Sequence, residues 1–282
     1  MSRPPFLDLP PGVRATKVST PAGPLAALRA DADPATRPPV LMVPGYTGSK
    51  EDFIAVLEPI AAAGHPVLAI DQRGQFESPG VDDPSAYDIE TLADDVRGAI
   101  RELGGGVHLV GHSFGGLVAR AATIADPASV RSLTLMDSGP AAVPPPADTN
   151  IGLMAQAVPQ LDLETIWGLK RQIEAQTETD PPPPDIEAWM HDRFVANHPA
   201  GLLRLAEQLL GVSDLTDELT ATGVPVLVLY GEDDDVWLPD VQAAMAGRLG
   251  APVVALPDVG HSPAANAPGR TADALLEFWA SH

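Results

Sequence analysis

The 282-residue sequence has no cysteine and only 17 lysine plus arginine side chains, of which three are lysines (Lys17, Lys50 and Lys170). Without cysteine there is no disulfide, no thiolate-bound metal, no iron–sulfur cluster and no cysteine nucleophile, and the chain suits a reducing compartment. Against 38 acidic residues the few bases leave a formal charge of −21. Nucleic-acid binders neutralise phosphates with clustered Lys and Arg, and anionic membrane surfaces attract polybasic segments, so neither partner is expected. No run approaches the ~18 apolar residues of a membrane span, and Met1–Gly12 lacks the apolar centre of a secretory leader. A cytoplasmic protein, monomer or homodimer, is the expectation. What the chain does have is 45% hydrophobic content with 25 Gly and 31 Pro, on the globular side of low complexity. A chain of this length buries about three quarters of the surface of its unfolded form, so it folds without staples.

Short apolar runs alternate with longer helix-period segments, the pattern of an α/β protein with a mostly parallel sheet flanked by helices. The strands are expected at Pro39–Val43, Pro66–Ile70, Val107–Val110, Ser132–Met136, Pro225–Tyr230 and Pro252–Leu256, and their continuous apolar character suggests cover on both faces. Helices are expected at Glu51–Ala63, Asp88–Leu103, Gly115–Ala125, Pro239–Leu249 and Arg270–Ala280, the first capped by Ser49 with Asp52. Thr16–Ser19 and Leu25–Ala30, separated by a Pro-Ala-Gly-Pro turn, read as an antiparallel hairpin at the sheet edge. The alternation stops at residue 139 and resumes at 215. A structureless loop of that length is foreign to a compact domain, so 139–214 reads as a helical insertion with proline corners at 144–146 and 181–184. Residues 1–138 and 215–282 then form the core.

Gly111-His112-Ser113-Phe114-Gly115 fits the pattern G-x-S-x-G, placed directly after an apolar strand and directly before a helical segment. In that setting the turn pushes the serine hydroxyl outward, small residues at both ends let strand and helix approach, and a helix N-terminus favours developing negative charge. A serine hydroxyl is a poor nucleophile at neutral pH and needs an imidazole base oriented by a carboxylate. With the order serine, acid, histidine, the base lies after the last candidate acid, which leaves His261 and the terminal His282, expected to fray. For the acid, Gly231-Glu-Asp-Asp-Asp235 follows one strand and Asp137 ends another; Asp234, its neighbours and Asp137 all remain candidates. The acidic run lacks the alternating ligands and turn glycine of a calcium loop, so no metal is expected.

Five stretches, in order, carry a resemblance: Pro39–Ser49 (PVLMVPGYTGS), Asp71-Gln-Arg-Gly74 with Ser78, Gly111–Gly116 (GHSFGG), Gly231-x-x-Asp234 and Gly260-His261. Over nearly its whole length the chain resembles the α/β-hydrolase superfamily, in its serine-nucleophile, lid-bearing branch. The resemblance implies Ser113 as nucleophile, Asp234 as orienting acid and His261 as general base, with no cofactor. It also implies an oxyanion hole from the backbone N–H groups of Tyr46 and Phe114, and a helical lid at 139–214. Two departures stand out. Pro44-Gly45 replaces the usual His-Gly, which loosens the orientation of the loop carrying Tyr46. Phe76 replaces the second glycine of the D-x-R-G-x-G-x-S pattern, so that loop is expected to be reshaped. Serine at 113 sets the chain apart from dehalogenase and epoxide-hydrolase branches, whose covalent step needs a carboxylate.

The chemistry so implied is acyl transfer through a serine ester on a small-molecule ester or lactone. The same residues on an amide, thioester or carbon–carbon bond form the second reading, and a non-hydrolytic receptor on the same fold the third. The substrate pocket is expected to involve Gly45, Tyr46, His112 and Phe114 with Met154, Trp167 and Trp189 of the insertion. The insertion carries 11 acidic against four basic side chains, a bias toward neutral or cationic substrates.

Overall fold

Four strands of the sheet are preceded by a proline, and the reason lies in the ladder. A computed structural model of the chain describes residues 1–176 and 180–282. In it the carbonyls of Pro39, Pro66, Pro225 and Pro252 accept N–H groups of the adjacent strands at 2.8–3.1 Å. Proline can open a strand in this way because it still supplies an acceptor and leaves no N–H unpaired.

The eight strands are β1 (Val13–Thr20), β2 (Gly23–Ala30), β3 (Val40–Val43), β4 (Val67–Ile70), β5 (Val107–His112), β6 (Val130–Met136), β7 (Val226–Gly231) and β8 (Val253–Leu256). Their order in the sheet is β1-β2-β4-β3-β5-β6-β7-β8. The β1–β2 hairpin joins the edge antiparallel, as its turn residues foretold, and every pair from β4 onward is parallel. Along β3 the period of two sends Leu41 and Val43 to one apolar cluster, and Val40 and Met42 to the other. The first cluster is covered by α2 (Ile89–Glu102), α3 (Phe114–Ala125) and α9 (Pro239–Leu249). The second lies under α1 (Ile54–Ala62), α10 (Pro263–Asn266) and α11 (Pro268–Trp279). The Ser49–Asp52 cap forms, with Asp52 Oδ2 accepting the Ser49 N–H at 3.3 Å. His282, expected to fray, has its ring against the helix end, with Nδ1 bonding the Phe278 carbonyl at 2.9 Å and the two rings 4.5 Å apart.

After β3 the chain moves to β4 on one side, then returns to β5 on the other, so β3 and β5 are neighbours across a topological switch point. Ligand sites of open α/β sheets lie at the carboxyl ends of strands at such a crevice. Here those ends carry Pro44-Gly45 and Ser113.

Between β6 and β7 the chain forms α4 (Asp148–Ala157), α5 (Leu163–Glu174), α6 (Pro184–Val195) and α7 (Pro199–Gly211), followed by the short α8 (Thr216–Ala221). Pro184 and Pro199 open their helices at the position where a missing N–H costs nothing. Residues 177–179 of this stretch lie outside the described residues; among the described ones it has no strand. Val158, Leu163, Ile166, Trp167, Ile186, Met190, Phe194 and Leu202 make an apolar cluster of its own. Leu205 and Leu209 of α7, however, belong to the cluster of the sheet, so the last helix is shared between the insertion and the core. No helix among the described residues is long and apolar enough to cross a membrane.

Candidate active site

Ser113 sits in the turn from β5 to α3 with φ 55° and ψ −123°, a conformation outside the ordinary regions for a residue with a side chain. The turn is possible because of its flanking glycines. A Cβ at Gly111 would stand 2.4 Å from the Gly115 carbonyl oxygen, and one at Gly115 would stand 2.4 Å from the oxygens of both Val43 and Pro44. The strand–turn–helix reading of the motif therefore holds in detail, and Gly115 is also what lets α3 dock on the end of β3.

His261 lies in the loop between β8 and α10. Its Nε2 is 2.9 Å from Ser113 Oγ and its Nδ1 is 2.8 Å from Asp234 Oδ1. A carboxylate only accepts, so Nδ1 carries the proton, Nε2 is left as an acceptor, and the Ser113 hydroxyl donates to it. Asp234 also accepts the Val236 N–H on Oδ1 at 2.9 Å and Gln242 Nε2 on Oδ2 at 2.7 Å. Gln242 is fully buried and bonds the Trp237 carbonyl as well, at 2.7 Å. Its neighbours Glu232, Asp233 and Asp235 are exposed; Asp234 is buried.

Asp137, the other candidate acid, ends β6 at φ 43°. Its Oδ1 accepts the Gly231 N–H at 2.9 Å, while Oδ2 is buried with no hydrogen-bond partner among the described residues. Burial and the neighbouring charge of Asp234 push its pKa well above the usual carboxylate range. Of the two acids, only Asp234 is hydrogen-bonded to the imidazole. His112, next to the serine, is pushed down to about 4, by burial first and then by His261. It is therefore neutral and donates Nε2–H to the His261 carbonyl at 2.7 Å, which ties the loop of His261 to β5.

The N–H groups of Tyr46 and Phe114 have no hydrogen-bond partner among the described residues. The Phe114 ring is fully buried in the core cluster, so its backbone rather than its ring is what the site can use. Tyr46 packs against both the core cluster and the cluster of the insertion, and its hydroxyl is buried without a partner among the described residues. Of the pocket candidates in the insertion, Trp167 packs inside it, 5.6 Å from the Phe194 ring and 5.8 Å from that of His191. Met154 is partly buried against the same cluster. Trp189 is partly buried against the same cluster and also reaches the core, its ring meeting Phe76 at 5.7 Å and the Arg193 guanidinium of its own helix at 4.6 Å. Trp237, which the sequence did not single out, is fully buried with its ring centroid 6.4 Å from that of His261.

Phe76 does not abolish the tight turn. It adopts φ 41°, the left-handed value that glycine would take without strain, and its ring lies under Lys50 Nζ at 4.7 Å. For a metal, one grouping among the described residues offers three donors: His112, Asp137 and His261, with ligand atoms within 4.8 Å of one another. Both nitrogens of His261 are already engaged, so a cation there would take the imidazole away from Ser113 or Asp234.

A mostly parallel sheet with a serine on the β5–α3 turn, at the switch point and in contact with an imidazole, defines a protein of the hydrolase-type α/β class. The model of the alpha/beta hydrolase family matches residues 40–274, and the chain belongs to that family. It is 30% identical over 228 residues to a non-heme chloroperoxidase of Streptomyces lividans, covering 73% of this chain and 77% of the relative. Over a shorter span of 106 residues, 37% of this chain and 40% of the relative, it is 38% identical to a putative carbamate hydrolase, RutD, of Variovorax paradoxus. A thermophilic esterase from Thermogutta terrifontis superposes with a TM-score of 0.74 at 27% identity, covering 95% of this chain and 98% of that one.

Proposed function

We propose that the protein is a serine hydrolase that cleaves small-molecule carboxylic esters or lactones through an acyl-enzyme. The observation that carries this reading is the continuous hydrogen-bond chain Ser113–His261–Asp234, at 2.9 and 2.8 Å, with two N–H groups, of Tyr46 and Phe114, that have no acceptor among the described residues. As Ser113 Oγ attacks the carbonyl carbon, its proton passes to His261 Nε2 and Asp234 stabilises the imidazolium. The oxygen that becomes negative is received by the N–H groups of Tyr46 and Phe114. His261 gives the proton to the departing alkoxide, leaving the acyl group on Ser113. A water then yields its proton to His261, adds to the acyl carbon, and the acid leaves as Oγ regains the proton. No cofactor enters this sequence.

Residues 139–214 serve as the lid over this centre, with Tyr46 and Trp189 at its seam with the core. Their acidic excess biases the site toward neutral or cationic esters and away from free carboxylates. The local likeness to a putative carbamate hydrolase favours one second reading, the same three residues acting on an amide-type bond. A fluorophosphonate probe tests the class: labelling of the wild type that is lost in Ser113→Ala supports it, and a folded wild type left unlabelled refutes it. A panel of short and long acyl esters, lactones, carbamates and amides then divides the two readings by their kcat/KM.

A further inference from the structure

The loop after β4 holds two glutamines, Gln72 and Gln75, that are each 2% exposed. Their amide NH2 groups reach across to the loop that follows β3. Gln72 Nε2 donates to the Pro44 carbonyl and Gln75 Nε2 to the Gly45 carbonyl, both at 2.8 Å. Gln75 is itself held, because its Oε1 accepts the Gln72 N–H at 3.1 Å. The Gly45 carbonyl takes a second bond from the Gly48 N–H, also at 3.1 Å.

The consequence follows from the planarity of the peptide. In a trans unit the C=O and the N–H point in opposite directions. The Gly45 carbonyl and the Tyr46 N–H share one unit, so a carbonyl fixed on Gln75 turns the N–H to the far side. The nucleophile stands close against this loop: a Cβ at Gly45 would be 2.8 Å from Ser113 Cβ and 3.3 Å from its Oγ. Pro44 has no N–H with which to brace the loop, and its carbonyl is wedged between Gln72 and Gly115 at the start of α3.

We infer that Gln72 and Gln75 are positioning residues: they set the planes of the Pro44–Gly45 and Gly45–Tyr46 peptides so that the Tyr46 N–H is aimed in advance at the oxyanion formed on Ser113. This rests on Ser113 being the nucleophile. A donor oriented beforehand needs no rearrangement as charge develops, which is where such groups have their effect. The glutamines thus take over the bracing that the Pro44 and Phe76 departures would otherwise weaken.

Gln75→Met tests it, because methionine keeps the length and approximate volume of glutamine but removes the donor. The readouts are kcat and KM on whichever ester of the panel is turned over fastest, and the affinity of a trifluoromethyl ketone, which forms a tetrahedral adduct, against its planar methyl ketone. The expected result is a fall in kcat of about ten- to a hundredfold, KM within about threefold, and an equal loss of trifluoromethyl ketone affinity with the methyl ketone unaffected. A folded variant with kcat within about twofold of wild type, or with the loss confined to KM, overturns the inference. If Gln75→Met does not fold, Gln72→Met, which frees only the Pro44 carbonyl, is judged by the same criteria. A wild type that fluorophosphonate leaves unlabelled fails at the earlier step, the assignment of Ser113, so the two failures are distinct.

Discussion

Replacing Asp234 by asparagine puts the proposed acid under the most direct test, and the surrounding donors determine what happens. The carboxylate of Asp234 faces three N–H groups, from His261 and Val236 on Oδ1 and from Gln242 on Oδ2. Asparagine offers one oxygen and one NH2. With its NH2 toward His261, the imidazole must carry its proton on Nε2, where it would donate to Ser113 instead of accepting from it, and the base is lost. With its NH2 toward Gln242, two donors confront each other unless the Gln242 amide turns over. That rotation would present Gln242 Oε1, which is buried without a partner, but would give up the bond to the Trp237 carbonyl. Either way the carboxylate charge that stabilises the imidazolium is gone. The expected fall in kcat is ~10⁴-fold, equivalent to about 5.5 kcal/mol of transition-state stabilisation. The assay is steady-state turnover of an activated ester, with circular dichroism to establish that the variant is folded. The companion is Asp137→Asn. Burial and the charge of Asp234 raise the Asp137 pKa well above the usual carboxylate range, and asparagine keeps the oxygen that accepts the Gly231 N–H. Its expected loss is less than about tenfold. Activity of Asp234→Asn within tenfold of wild type, together with a collapse in Asp137→Asn, would refute the assignment and give the role to Asp137.

Two further predictions concern stability. Arg193 of α6 is fully buried, with Nη1 on Asp52 Oδ1 at 2.7 Å and Nη2 on the Ser2 carbonyl at 2.5 Å. Arg193→Met strands the Asp52 carboxylate, so unfolding stability should drop by about 3–5 kcal/mol in denaturant titration; a loss below about 1 kcal/mol would mean that Asp52 finds another cation or water. His108 in β5 is fully buried and its pKa is pushed down to about 3, chiefly by burial, whereas the unfolded chain protonates near 6.5. Since the folded value is the lower one, its contribution is fully present above pH 6.5 and is lost as pH falls toward the folded value. Between pH 7 and 5 wild type should therefore lose about 2 kcal/mol more than His108→Gln, and parallel pH dependences of the two proteins would contradict this.

The parts of the fold that could be read from the chain are those fixed by local pattern. Each apolar run preceded by proline became a strand, because the proline's carbonyl serves the neighbouring strand's ladder whatever lies above the sheet. Ser113 was legible for the same reason: two glycines and a helix-period segment determine its turn locally. What could not be read is whatever depends on two distant segments meeting. Gln242 looks like any polar residue of α9 until the turn after β7 places Asp234 in reach of its amide. Arg193 and Asp52, 141 positions apart, become partners only when α6 settles against the turn that leads into α1. Trp167 and Trp189 share an apolar character, and sequence alone treats them alike; packing sends one into the insertion and the other to the seam with Phe76.

The choice between Asp137 and Asp234 shows the limit most clearly. Asp137 directly follows β6 and Asp234 lies in the turn after β7, and the two strands are adjacent in the sheet, so topology brings both carboxyls to the same end of the molecule beside His261. Position therefore does not separate them. Their hydrogen bonds do: Asp234 collects N–H groups from His261, Val236 and Gln242, while among the described residues Asp137 bonds the Gly231 N–H and not the imidazole. Burial first, and then the neighbouring charge of Asp234, raise the pKa of Asp137. The difference was in principle written in Gln242 and in the Gly231-to-Val236 turn, but only as a question of which acid those donors would face. In the proposed mechanism Asp234, the acid bonded to the imidazole, balances the imidazolium of His261, while Asp137 makes no hydrogen bond to it among the described residues. That asymmetry, rather than the abundance of acidic residues in the chain, is what the reaction requires.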